Sequence, residues 1–143
     1  MDVDIFSFIF INIMIQESWA TAVEWAITNN EYKRFDVNLD HKNRQNWGLL
    51  KTDYSKNMSL MDYTPVFIDL IDNVNQRTLN SGIHQNYEFP DDNVTGFTIA
   101  ELRGVLRKTF NLADLKKNVK ALRTDPVILS NIDKLFETYE KAE

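Results

Sequence analysis

The apolar positions of this chain are distributed unevenly, and the densest stretch comes first. Residues 3–15 read VDIFSFIFINIMI. A run this rich in Ile and Phe fits either a buried strand or the first turns of a buried helix. It is shorter than the about 20 apolar residues that span a bilayer. Asp2 and Asp4 stand where a signal peptide needs positive charge, and no small-residue cleavage site follows. The expectation is therefore core packing for residues 1–15, or an irregular start replacing upstream sequence, with residues 16–143 as a single helical domain. After it, QESWATAVEWAITNNEY places Trp19, Ala20, Val23, Ala26 and Ile27 at helical spacing. Asn29 and Asn30 are candidate stop signals. Residues 33–62 are polar and predict a long loop with one short helix near Trp47–Leu50.

The next helix has a local start signal. Thr64 is a candidate cap, and Pro65 occupies the first helical position, where a missing N–H costs nothing. Phe67, Leu70, Ile71 and Val74 form its apolar stripe, and Asp69, Asp72 and Asn73 are expected to point elsewhere. A polar connection follows, ending in PDDNVTG. Thr98 and Glu101 then form a capping box ahead of Ile99, Leu102, Val105 and Leu106. Asn111 caps a helix that buries Leu112, Leu115, Val119 and Leu122. Asp125-Pro126 opens the last helix, with Ile128, Ile132, Leu135, Phe136 and Tyr139 inward. The fold class is mostly α: a small irregular domain of about five helices with long loops, the last three forming a small bundle.

Composition narrows the function classes. The 143 residues carry 16 Lys+Arg against 21 Asp+Glu, a net charge of −5, so a general nucleic-acid binder is disfavoured. At 43% hydrophobic and 26% charged, the chain has the balance of a soluble globular domain and no transmembrane segment is expected. With no Cys and only His41 and His84, thiol chemistry is excluded and a self-contained metal site is short of ligands.

Several residue groups invite chemistry. Asp36, Asn38 and Asp40 have the odd-position spacing of a calcium loop, but His41 replaces the sixth-position Gly and Trp47 the twelfth-position Glu. Asp91, Asn93, Thr95 and Gly96 fit the first half better, yet position twelve is Leu102. Turn chemistry is the better account of both. His41 and His84 read as loop histidines. Ser18, His84 and an Asp assemble a triad only on paper, without a nucleophile elbow. The cations Arg103, Arg107, Lys108, Lys116, Lys117, Lys120 and Arg123 read as a solvated helix face, the alternative being a surface for an acidic partner. Glu17 and Glu24 are seven residues apart and fall on nearly the same helix face. They are either a surface pair or carboxylates that need a partner, a proton or a metal.

The segment ESWATAVEWAITNNEY resembles the part that follows the zinc-binding helix in bacterial, mostly secreted, zincin-like metallopeptidase domains of the gluzincin type. MDYTPVFIDLIDN and DNVTGFTIAELRGVLRKTFNLADLKKNV resemble the helical C-terminal region of the same domains. The likeness covers roughly residues 16–119. It implies that Glu17 matches the third zinc ligand, with Ser18, Trp19 and Ala20 as its helix-start context. Glu24 is a geometric candidate for a group that orients a ligand. The departure is that this chain contains no HExxH. Zinc belongs to the intact family domain, and this chain alone is expected to hold none and to catalyse no hydrolysis.

Two functions follow from these residues. In the first, the chain is the C-terminal helical part of a zinc metallopeptidase-like domain, inactive alone as a truncated, split or degenerate copy. Its partner is then the missing zinc-binding part, and the resemblance implies an extracytoplasmic or cell-envelope setting. In the second, it is a non-catalytic helical interaction module binding a protein partner. A Glu17 pointing into a cleft between helices favours the first, and a solvated Glu17 on an outer face favours the second.

Overall fold

A computed structural model describes residues 5–35, 66–79 and 90–140, with side chains of the first segment from Ile15 onward. Those residues are mostly helical, as the pattern predicts. The first helix, α1, runs Ile5–Arg34. Its 30 residues extend about 45 Å. It passes Ile15 without interruption, so the apolar run and the helix after it are one element. Asn29 and Asn30 do not end it. The helix closes with Lys33 and Arg34 in its last turn, where positive charge offsets the partial negative charge of the free carbonyls.

The buried face of α1 differs from the expected one. Ile15, Ser18 and Ala22 are buried, with Trp19 and Trp25 partly covered beside them, whereas Ala20 and Ile27 are exposed. Ser18 and Ala22 are small and one turn apart, so α1 can approach its neighbour closely. Trp19 then meets Phe67 edge to face, with ring centroids 5.5 Å apart.

That neighbour is α2, Val66–Ile71. Every residue from Val66 to Leu70 is buried, including Asp69. Phe67, Leu70 and Ile71 of the expected stripe face inward and Asn73 is exposed, but the expectation that Asp69 and Asp72 point elsewhere is wrong. A helix apolar on all sides is enclosed rather than amphipathic, and Asp69 and Asp72 go inside with it. Val74, assigned to the stripe, lies beyond the helix end and is half-buried. A single turn, α3 (Gln76–Leu79), follows. The Thr64-Pro65 start and the helix expected near Trp47 lie outside the described residues.

Residues 90–98 then return to the end of α2. The Phe97 N–H donates to the Leu70 carbonyl (3.1 Å) and the Gly96 N–H to that of Ile71 (3.5 Å). These bonds satisfy carbonyls that a helix C-terminus leaves open. Gly96 makes the approach with φ at +83°, a left-handed conformation that costs glycine little.

Three capped helices complete the domain. In α4 (Ile99–Leu106) the capping box is complete: Thr98 Oγ1 accepts from the Glu101 N–H at 3.2 Å, and Glu101 Oε2 accepts from the Thr98 N–H at 2.8 Å. Asn111 caps α5 (Leu112–Lys120) by accepting from the Asp114 N–H. Asp125 accepts from the Val127 N–H at 2.7 Å at the start of α6, Pro126–Glu140. Leu102, Val105, Leu115, Val119, Ile132, Leu135 and Phe136 are buried where these helices meet. Leu122 is not, because α5 has already ended at Ala121 and the chain turns outward.

Replacing Thr98 by Ala removes one half of the capping box and is expected to cost about 1 kcal/mol in urea unfolding. Arg103→Ala, on the exposed side of the same helix, should stay within about 0.5 kcal/mol of the parent.

Candidate functional site

The E-S-W-A motif divides between two environments. Ser18 is buried and Trp19 leans on Phe67, while Glu17 is exposed. Glu24 is exposed as well. The two carboxylates stand about 10 Å apart along the axis, within about 20° of one another around it. Glu17 is thus a solvated residue on the outer face of α1. That is the arrangement the interaction-module function calls for. It leaves the carboxylate open to a metal only when another segment brings the remaining ligands. Ser18, as a core residue, is in no position to serve as a nucleophile.

A second constellation was hidden from the sequence pattern. Asp69 in α2, Asp72 just after it, Asp92 in the returning segment and Tyr139 of α6 are all buried at one junction. The Tyr139 hydroxyl donates to Asp69 Oδ2 across 70 residues of chain. Asp72 Oδ1 accepts from the Val74 N–H (3.1 Å) and Asp92 Oδ1 from the Val94 N–H (2.9 Å). Both are turns in which an aspartate side chain caps the backbone two residues on. Asp92 Oδ2 is buried with no hydrogen-bond partner among the described residues. Burial pushes Asp72 up to about 7 against the pull of the Val74 N–H. Burial pushes Asp92 up to about 9, with the charge of Asp69 adding to it. Burial, and then Asp69, also hold the Tyr139 hydroxyl well above the usual phenol range. Asp92 therefore carries a proton at neutral pH. The sequence did hold one signal for this cluster. Asp69 interrupts the run VFIDLI, apolar on every side, and a carboxylate inside such a run has to be paired or protonated.

The remaining candidates resolve into structural roles where they are described. Asp91 Oδ1 accepts from Asn75 and Asn93 side chains, at 3.1 and 3.0 Å, which is turn chemistry. Among the described residues no group of three His, Asp or Glu side chains is placed to hold a metal ion. The basic residues are not one solvated face. Lys116 pairs with Glu140 (3.0 Å) and Lys120 with Asp133 (2.6 Å), tying α5 to α6. Arg123 pairs with Glu101 (2.8 Å) and lies 3.9 Å above the centre of the Phe97 ring. That hydrogen bond, followed by the Thr98 N–H, draws the Glu101 carboxyl down to about 2. Arg103, Arg107, Lys108 and Lys117 stay exposed. Asp36, Asn38, Asp40, His41 and His84 lie outside the described residues. No helix among the described residues is long and apolar enough to cross a membrane.

No protein-family model matches the chain, and neither curated proteins nor solved structures provide a match.

Tyr139→Phe keeps the buried ring and removes only the donor to Asp69. Loss of a hydrogen bond to a buried carboxylate is expected to cost about 1–3 kcal/mol in chemical denaturation. A variant as stable as the parent would show that the hydroxyl contributes nothing there.

Proposed function

We propose that this chain performs no catalysis alone and acts by presenting the outer face of α1 to a second polypeptide segment. The resemblance gives that segment its chemistry: the HExxH-bearing part of a zincin-like metallopeptidase, to whose zinc Glu17 adds the third protein ligand. The observation that carries the docking at this face is the division within E-S-W-A, and the zinc chemistry rests on the resemblance alone. Ser18 and Trp19 anchor the helix, and the anchoring leaves Glu17 outside in a fixed register. Among the described residues, zinc meets a single carboxylate at this position, against the about three protein ligands a catalytic site requires. Bound zinc would supply a polarised water for hydrolysis. Glu17 would contribute charge and position, and Glu24, further along the face, would hydrogen bond the segment that docks there. An exported setting accompanies this function.

A metal-free protein partner is the second reading. It is favoured by the solvated position of Glu17, by Ile27 on the same helix and by Phe35 just past its end, the last two 61% and 71% exposed.

Zinc separates the two. Calorimetric titration of this chain alone is expected to show no tight stoichiometric zinc binding. The locus upstream of Met1 is expected to encode an HExxH segment. The joined protein should bind one zinc, and Glu17→Gln should weaken that binding by at least about tenfold. An upstream locus without HExxH in any frame, or zinc binding indifferent to Glu17→Gln, overturns the metallopeptidase reading in favour of the metal-free partner.

A further inference from the structure

We infer that Asp92 is a proton-operated latch at the α2–α6 junction: in its protonated form α6 and residues 90–98 close over α2, and its ionisation loosens them. The geometry places the contact points together. The backbone bonds from Gly96 and Phe97 to the end of α2, and the Tyr139 hydroxyl on Asp69, both join the C-terminal helices to α2. Asp92 sits among them, 3% exposed. One of its oxygens takes the Val94 N–H, and the other is buried without a hydrogen-bond partner among the described residues. An ionised carboxylate in that position places charge on a buried oxygen with no donor among the described residues.

The neighbours oppose that charge. The described groups that act on Asp92 electrostatically are Asp69 from α2, Asp72 from its end and Asp91 from the same segment. From α6, Tyr139 faces the same cluster and donates its proton to Asp69. With Asp72 losing its proton at about 7, the proton on Asp92 sets the further negative charge that the junction gains above that pH. Losing it leaves like charges in a low-dielectric space, which is relieved by admitting water and parting the two surfaces.

The direction with pH follows from the raised carboxyls. Asp72 and Asp92 hold their protons more tightly folded than unfolded. The stability they confer is full at acidic pH, near and below the ordinary carboxyl range. It is lost as pH climbs through about 7 for Asp72 and about 9 for Asp92. The Trp19–Phe67 contact and the Lys116 and Lys120 ion pairs use none of the cluster's side chains, so α1 on α2 and α5 on α6 have their own attachments. The expected result is opening of the junction before the whole domain unfolds.

Hydrogen exchange read by mass spectrometry, corrected for the intrinsic pH dependence of exchange, tests this directly. In the parent chain, exchange in residues 66–71 and 90–98 should rise at least roughly tenfold between mildly acidic pH and pH about 9. Asp92→Asn keeps an oxygen for the Val94 N–H and removes the charge, so the part of the rise above pH about 8, beyond the Asp72 titration, should vanish. A rise above pH about 8 that persists in Asp92→Asn, or no rise there in the parent, overturns the latch. If that variant does not fold, carbon-13 NMR of the Asp92 carboxyl in the parent decides. Titration near 9 that coincides with opening supports the latch, and titration in the ordinary carboxyl range overturns it. Millimolar calcium at the alkaline end should change nothing. Suppression of the rise by calcium would make the cluster a cation site and overturn the proton mechanism.

Discussion

Burying the carboxylate of Asp69 at the centre of a six-residue helix sets the terms for everything around α2. A charge cannot go into an apolar interior alone, so the structure has to bring a donor to it. That donor is the hydroxyl of Tyr139, carried on the last helix. Meeting the requirement draws α6 onto α2. It also places Asp92 within reach of the same charge, so that burial and repulsion together keep a proton on Asp92. The segment that carries Asp92 uses its backbone to close the end of α2. One demand for a hydrogen bond thereby couples three parts of the chain far apart in sequence.

The other helices depend on this arrangement in different ways. Helix α1 lies on α2 through small residues and the Trp19–Phe67 contact, which fixes its rotation and leaves Glu17 and Glu24 outward. If α2 shifted, the register of that acidic face would shift with it. Helices α4, α5 and α6 are held to one another by an apolar core and by lysine and arginine pairs at its rim. Exposed pairs of this kind contribute little energy each, and here they fix orientation. The pH behaviour combines opposite limbs. Glu101, drawn down to about 2, confers stability that is lost as pH falls from the ordinary carboxyl range toward that value. The buried aspartates confer stability that is lost as pH rises.

What was legible in the sequence was what short-range hydrogen bonding decides. The Thr98–Glu101 box, the Asn111 cap and the Asp125-Pro126 start all stand where the residues indicated, because donor and acceptor lie within four positions. The mostly helical class follows from the same signals. The faces of α1 and α2 were not legible. Two neighbouring stripes on α1 fit a helical period, and the one that is buried includes a serine. The enclosure of α2 depends on Tyr139, which is 70 residues from Asp69. The ion pairs of Lys116 and Lys120 likewise depend on α6 lying alongside α5, so a charge pattern on one helix could only suggest solvent. Glu17 and Glu24 were identifiable as a shared face by spacing alone, and their exposure required knowing where α2 lies.

The central claim is that Asp69 and Tyr139 act as one unit that holds α2 and α6 together. A double-mutant cycle with Asp69→Asn and Tyr139→Phe, each measured by urea unfolding at neutral pH, tests it most directly. The account predicts a coupling energy of about 1 kcal/mol or more between the two positions. Additivity within about 0.3–0.5 kcal/mol would contradict it.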